Sequence, residues 1–452
     1  MTSFPKRAIL PCEIKSREFE SKLLLACCLA EDGWSAIVGS RNDIHMKLAQ
    51  FPRSIYLGKD VRFSSKKILT LLKLLGHPFV AMDEEALIYL SREKYREARV
   101  DGRMLRSALA LFAWGPDNAR AWTESSNYHG APVFETGNGR IDLLRSELRG
   151  AHRAKQSELE ATHGPFVLIN TNFGSINHFL NNLSIRPGQK LNIPAPPEGY
   201  FAHRVHIYEA FLQLLPKLAT RFPRLNFVLR PHPSENHEVW RKVVEPFHNC
   251  KVISEGGVLP WVLASKAVIH NGCTTGIEAY VLDKIPVAFM PRQSAEFDIH
   301  LPNNLSLKCE SEDEIFKVLH IIETGKESPV LRNDERERLL KQHVSASNGL
   351  LASERLVEAF NTVRSDITDK SFHKLTWPLG RFASELRAGI KRFHQNRPGH
   401  KSNIAYTRHR FPATPMHEVT SMIETFASCL GRFQNIGVRE IESELIFEIY
   451  RT

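Results

Sequence analysis

Short apolar runs alternate with amphipathic stretches along most of the chain. Arg7 to Pro11 reads as a first strand, and Leu23, Leu24, Leu25 and Leu29 mark an apolar helix from about Phe19 to Ala30. Gly33 ends that helix before a second strand, Trp34 to Gly39. Further runs predict strands at Ser54 to Leu57, Pro78 to Met82, Leu109 to Trp114 and Pro132 to Glu135. Between them helices are expected near Asn42 to Gln50, Ser65 to Leu75, Glu84 to Glu97 and Pro116 to Glu124. Such alternation implies a parallel sheet wound on both faces. From Arg145 the chain turns charged, and Gly164-Pro165 punctuates the stretch, which predicts an interdomain connection.

The pattern then resumes. Strands are expected at Phe166 to Asn170, Phe227 to Leu229, Lys251 to Ile253, Ala267 to Ile269 and Val287 to Phe289. Helices are expected near His203 to Arg221, Asn236 to Phe247, Pro260 to Ala264 and Gly276 to Leu282, then at Glu312 to Glu323 and, as a closing helix, Asn348 to Asn361. The reading is an α/β chain of two doubly wound domains facing across a cleft, over 1–150 and 151–365, with a basic helical extension over 366–452. In that extension Phe382, Leu386, Ile390 and Phe393 recur at helical spacing, and eight Lys/Arg between Gly380 and Arg410 stand against one acid, Glu385. Two readings follow: a helix that packs back on the first domain, or one that touches anionic lipid, and both can hold.

Two polar breaks carry the candidate chemistry. At the end of the strand Ala267 to Ile269, His270 to Thr275 form an elbow in which Gly272 permits close backbone approach. Thr274 and Thr275 add hydroxyls to the open N–H groups of a helix start, which suits a phosphate, with His270 and Asn271 beside them. Glu278 lies one helical turn on, placed to accept from a ribose. The second break is Arg230-Pro231-His232-Pro233-Ser234, where two prolines would hold Arg230 and His232 at a sheet's carboxyl edge. Arginine offers a fork for phosphate, and histidine can protonate a leaving group; Ser234 and Asn172 are weaker additions. Taken singly, each of these residues reads as a loop histidine or a capping threonine. Together they read as a nucleotide seat.

RPHP followed by HNGCTTGIEA resembles the nucleotide-binding half of GT-B glycosyltransferases that use cytidine-activated donors, a group that includes Kdo and nonulosonic acid transferases and, more distantly, teichoic acid glycerophosphotransferases. The opening Ile9 to Phe19, the segment Thr136 to Asp142 and Ile169 to Gly174 further resemble the bacterial surface carbohydrate biosynthesis proteins, over roughly residues 7 to 360. Gly139 departs from that family's usual proline. The resemblance implies a transferase that moves an acidic 2-keto sugar from a CMP-sugar to a glycan or lipid-linked acceptor. A carboxylate in the first domain would then act as nucleophile or base. Glu13 is the first candidate and Glu18 the second, with Asp83 and Glu84 in reserve; Lys15 and Arg17 would hold the donor's own carboxylate. Glu18 also reads as a helix-start charge and Asp83 as a cap. Arg140 and Asp142 lie in a glycine-marked turn that reads either as a ligand contact or as a hinge.

At 452 residues, with 42% hydrophobic and 24% charged residues, the chain is an ordinary globular one, and disorder and collagen are excluded. A net charge of +10 permits anionic partners, nucleotide sugars, anionic lipid headgroups or nucleic acid, and does not choose among them. On the motifs and the resemblance, a nucleotide sugar and an anionic membrane surface are expected as partners and nucleic acid is not. Seven cysteines form no CxxC or Cys/His spacing, no secretory signal opens the chain, and no apolar run nears the ~20 residues a bilayer needs. A cytoplasmic protein, at most peripheral to the inner membrane, is expected. No histidines pair at ligand spacing and no DxD adjoins the motifs, so metal-independent chemistry with no cofactor beyond the CMP-sugar is expected. The alternatives are a CDP-glycerol-type glycerophosphotransferase, a UDP-GlcNAc 2-epimerase-like isomerase, and a non-catalytic scaffold.

Overall fold

A computed structural model of the chain describes residues 4–179, 199–325, 331–367, 376–397 and 402–452. They form two compact units, one of residues 1–86, 95–151 and 341–452, the other of 87–94 and 152–340.

The first unit begins with β1 (Arg7–Cys12), β2 (Ser35–Ser40), β3 (Ile55–Gly58), β4 (Phe79–Ala81), β5 (Leu111–Phe112) and β6 (Val133–Phe134), all parallel. β1 is buried over five of its six residues, as a central parallel strand covered on both faces must be. The helix Glu20–Glu31 that follows β1 is also buried nearly all round, which explains its unbroken Leu/Ala/Cys run.

The second unit is a six-stranded parallel sheet of β7 (Phe166–Asn170), β8 (Asn226–Arg230), β9 (Cys250–Val252), β10 (Ala267–His270), β11 (Ile285–Phe289) and β12 (Leu307–Cys309), in the order β12-β11-β10-β7-β8-β9. The chain direction of winding reverses between β10 and β7. In open parallel sheets a ligand crevice opens at such a switch point, outside the carboxyl ends of the strands. Three strands end there in register, His270 beside Asn170 and Asn170 beside Arg230. Val167, Ile169, Phe211, Phe227 and Trp240 lie in the core beneath.

The chain then returns to the first unit. Helix Ala352–Asp366 packs on Glu20–Glu31, where Phe360 meets the edge of Trp34 with ring centroids 5.6 Å apart. The closing helix therefore lies in the first unit, whereas the sequence placed it in the second domain. Helices Thr376–His394, Ile404–Arg410 and Met416–Leu430 follow, then β13 (Ile436–Glu442) and β14 (Ile446–Arg451). β14 pairs antiparallel with β2 and extends the first sheet to β13-β14-β2-β1-β3-β4-β5-β6. The extension is thus helical and basic but ends in a hairpin that the sequence reading missed.

Helix Thr376–His394 buries Gly380, Ser384 and Ala388 rather than its large residues. Added at Gly380, a Cβ would lie 2.9 Å from that of Leu74, so the small ridge is what lets the helix approach its neighbour. Leu379, Phe382, Leu386, Ile390 and Phe393 face outward and are 52 to 70% exposed. Lys401, part of the same basic run, lies outside the described residues. No described helix is long and apolar enough to cross a membrane.

Two further expectations change. The helix expected over Glu84 to Glu97 begins only at Arg92, because Asp83 and Glu84 are both buried, Asp83 in the fork of Arg99 and against the Tyr95 hydroxyl, Glu84 on Lys22 at 2.9 Å. The charged stretch after Arg145 is itself helical, at Ser146–Arg149 and Arg153–His163.

Candidate functional site

At the switch point the elbow is built from the inside. His270 is fully buried, takes the Gly272 N–H on Nδ1 at 3.0 Å, and meets the Ser306 hydroxyl with Nε2 at 2.8 Å. Burial pushes its pKa down to about 3, so the ring is neutral and cannot serve as a charged phosphate contact. A Cβ on Gly276 would overlap this ring, and Gly272 has a φ of +79°, so glycine is required at one position by contact and favoured at the other by backbone conformation. Helix Thr274–Val281 starts without a side-chain cap. Thr274 stands at its mouth, while Thr275 is buried and accepts from Asn170 Nδ2 on β7 at 3.2 Å. Glu278 is buried behind them.

Asn271 is 7% exposed, and neither atom of its amide has a hydrogen-bond partner among the described residues. The same holds for Arg204 Nε, Asn303 Oδ1 and His203 Nδ1. All four residues line one small cavity of about 20 Å³ beside the elbow. Arg204 donates through Nη2 to the Asn172 carbonyl and lies 5.0 Å over the Phe173 ring. His203 Nε2 faces Asp298 Oδ1 at 3.0 Å, yet burial holds its pKa below the usual value. The sequence reading found Asn271 but not Arg204, His203 or Asn303. The first two sit on a helix, Tyr200–Arg221, whose face toward the site nothing in the pattern distinguishes.

The RPHP segment is organised by a residue that was also missed. Glu235, 1% exposed, accepts from the backbone N–H of His232 and of Phe173 at 3.0 Å, from the Thr171 hydroxyl at 2.9 Å and from Trp240 Nε1 at 3.0 Å. One carboxylate therefore fastens the β7 loop to the β8 loop. His232 and Ser234 contact each other, Nδ1 to Oγ at 2.7 Å. Arg230 is turned away from the role expected of it. Its guanidinium donates to the carbonyls of Glu255 at 2.9 Å and Gly256 at 2.8 Å and lies 4.9 Å over Trp261, and burial lowers its pKa to about 10. Both terminal nitrogens donate to a loop rather than forming a fork toward the elbow.

In the first unit the four acidic and basic candidates also separate. Lys15–Phe19 forms a π-helical turn. Glu18 points inward, accepting the N–H groups of Glu13 at 2.9 Å and Ile14 at 3.3 Å and pairing with Lys22 at 3.1 Å, so it holds the turn and is no free nucleophile. Lys22 in turn pairs with Glu84, which removes that reserve. Lys15 pairs with Glu418 at 3.0 Å and Arg17 with Glu85 at 2.8 Å, which commits both donor-carboxylate candidates. Glu13 is the exception: it lines a cavity of about 370 Å³, with Arg41 at 3.4 Å, Arg410 at 2.7 Å and Lys59 in contact. The hinge expected at Arg140 and Asp142 is a fixed joint, since Asp142 accepts from Ala352 N at 2.7 Å and from Ser353 N and Oγ at 2.8 Å.

No family model matches the chain, and no curated protein matches it in sequence. Solved structures do. A wall teichoic acid polymerase, TagF, soaked with CDPG, is 10% identical over 80% of this chain and 90% of its own, with a TM-score of 0.50. A putative UDP-N-acetylglucosamine 2-epimerase from Listeria monocytogenes is 12% identical over 81% of this chain and 98% of its own, also with a TM-score of 0.50. At such identities the likeness is one of fold, and the fold is GT-B.

Proposed function

We propose that the chain is a GT-B transferase that takes a nucleotide-activated sugar at the elbow of the second unit and passes the sugar to a surface glycan or lipid-linked acceptor. One observation carries the reading: buried polar atoms of Asn271, Arg204, Asn303 and His203 line one small cavity beside the elbow with no partner among the described residues. Buried polar groups in folded proteins are nearly always satisfied, so such a cluster calls for polar partners, and ordered water or the polar edge of a ligand would supply them. A nucleotide brings ribose hydroxyls to Asn271 and Glu278 and phosphate charge to Arg204, Thr274 and the open helix end.

On this reading the donor is a cytidine monophosphate acidic sugar, supported by RPHP and HNGCTTGIEA alone, because Lys15 and Arg17 are held in ion pairs. Glu13 is the carboxylate assigned to the chemical step, since it lines a cavity and the other three are internally bound. The exposed stripe between residues 380 and 393 supports an anionic membrane surface as the place of the acceptor.

The test is thermal unfolding with CMP, CDP, UMP and UDP, repeated on Asn271→Leu and Arg204→Met. A rise with CMP that both substitutions remove supports the reading in full. A rise with UDP alone replaces the cytidine donor with a uridine one and favours an isomerase or a UDP-sugar transferase. No rise with any of the four overturns the nucleotide site.

A further inference from the structure

The cavity beside Glu13 lies at the carboxyl ends of β1 and β2, where Cys12 and Ser40 stand in register. Four cationic side chains line it, Arg41, Arg387, Lys391 and Arg410, against one carboxylate, Glu13. The protein gives these cations little to neutralise them. Lys391 Nζ donates to Asn42 Oδ1 at 2.8 Å, and Arg387 donates to the His45 carbonyl at 3.2 Å, both neutral partners. Arg41 and Arg410 share Glu13, which also serves Lys59. Asp43, the other acid that acts on Lys391, is taken by the Ser40 hydroxyl and by Arg408 at 3.2 Å.

We propose that this cavity seats a phosphoryl group bearing at least two negative charges, a phosphomonoester or diphosphate attached to a polar body such as a sugar. The volume, about 370 Å³, exceeds what phosphate alone fills and falls within the range of small-molecule sites. Gathering like charges in a half-buried space is unfavourable unless a counter-charge arrives, and a phosphate oxyanion accepts from guanidinium and ammonium together. The titration of the cluster agrees. Burial, with Arg387 and Arg41 alongside, drives the Lys391 ammonium down to about 7, and burial likewise lowers Arg387. A bound dianion would raise both again and hold Lys391 fully charged.

Two sources share this chemistry, soluble sugar phosphates and phosphates carried on lipid. Helix Thr376–His394 touches both possibilities, because Arg387 and Lys391 border the cavity while Leu386 and Ile390, one residue before each, belong to the exposed apolar stripe. Assigning the group to the acceptor rests on the transferase reading; the binding itself does not.

The experiment is calorimetric titration of the full chain with inorganic diphosphate, in wild type, Arg387→Gln, Lys391→Gln and, as a control on the same helix outside the cavity, Arg392→Gln. Asn271→Leu is included to close the elbow. The expected result is binding that survives Asn271→Leu and Arg392→Gln and weakens at least about tenfold in Arg387→Gln and Lys391→Gln. Without ligand, those two variants should melt at or above the wild-type temperature, since each removes a like charge. Absent binding, binding lost only in Asn271→Leu, or binding indifferent to Lys391→Gln would overturn the proposal. Phosphatidylcholine vesicles with and without phosphatidic acid then separate the sources. Sedimentation with phosphatidic acid that diphosphate competes away assigns a lipid-borne phosphate, and diphosphate binding without sedimentation assigns a soluble one. A failed nucleotide shift alongside intact diphosphate binding would remove the donor reading and leave this site standing.

Discussion

The His232 N–H donates to Glu235 Oε1 at 3.0 Å, and that same oxygen takes the Phe173 N–H at 3.0 Å from a different loop. The two loops are also joined by main-chain bonds, Phe179 N–H to the Ser234 carbonyl at 3.0 Å and Asn236 N–H to the Asn177 carbonyl at 2.8 Å, but only the Glu235 carboxylate draws His232, Phe173 and Thr171 to one point. Glu235→Ala would leave those two N–H groups, the Thr171 hydroxyl and the Trp240 indole without their acceptor. At ~1–3 kcal/mol for each buried donor left unsatisfied, and allowing for relaxation, the loss should exceed about 3 kcal/mol. Urea unfolding checks it, and a loss below ~1 kcal/mol would show that the loops are held by other means.

Gly276→Ala should damage the elbow. The added methyl overlaps a His270 ring that is buried and held at both nitrogens, so it cannot swing aside. Overpacking of this kind costs about 1–3 kcal/mol. The expected outcome is a lowered melting temperature together with loss of any nucleotide-induced rise; an unaltered rise would mean that the elbow does not contact the nucleotide.

His270 also predicts a pH response. Its folded pKa, about 3, lies below the usual 6.5, so between those values the unfolded chain binds the extra proton. Its contribution to stability is complete above pH 6.5 and is lost as the pH falls toward 3. His270→Gln should flatten the wild-type decline over that window, measured by urea midpoints at stepped pH; parallel wild-type and variant curves would contradict a buried neutral imidazole.

Lys22 is 3% exposed and lies between Glu18 at 3.1 Å and Glu84 at 2.9 Å. Lys22→Met would leave two carboxylates facing each other in the interior, a loss of about 3–5 kcal/mol. The triple change Lys22→Met, Glu18→Gln, Glu84→Gln should recover much of it. If the single variant unfolds at the wild-type urea concentration, the triad is not a structural element.

The strands were legible because a parallel strand covered on both faces must be apolar along its length, as Val167 to Ile169 and Ala267 to Ile269 are. The elbow was legible because few residues besides glycine suit such a turn. Polar groups that work from inside were not. Glu235, in the loop after two prolines, carries no mark of burial, and Glu18 was read as a nucleophile or a helix-start charge although Lys22, four residues on in an apolar helix, was a visible sign of its partner. The stripe on Thr376–His394 was found by its spacing, but spacing cannot say which face is covered; Gly380, Ser384 and Ala388 decide that, because small side chains permit the closer approach. The hairpin Ile436–Arg451 was missed because its first strand alternates weakly and its partner, β2, lies about four hundred residues away along the chain.

That hairpin bears on the order of events during synthesis. Residues 152–340, nearly all of the second unit, leave the ribosome as one continuous stretch with every strand of their sheet present. The first unit waits. Its β2 keeps a row of unpaired backbone groups until residues 446–451 arrive to cover them. Open edges of that kind recruit other chains, so a nascent or truncated product ending before Ile436 should aggregate through β2 even though its inserted second unit has already formed.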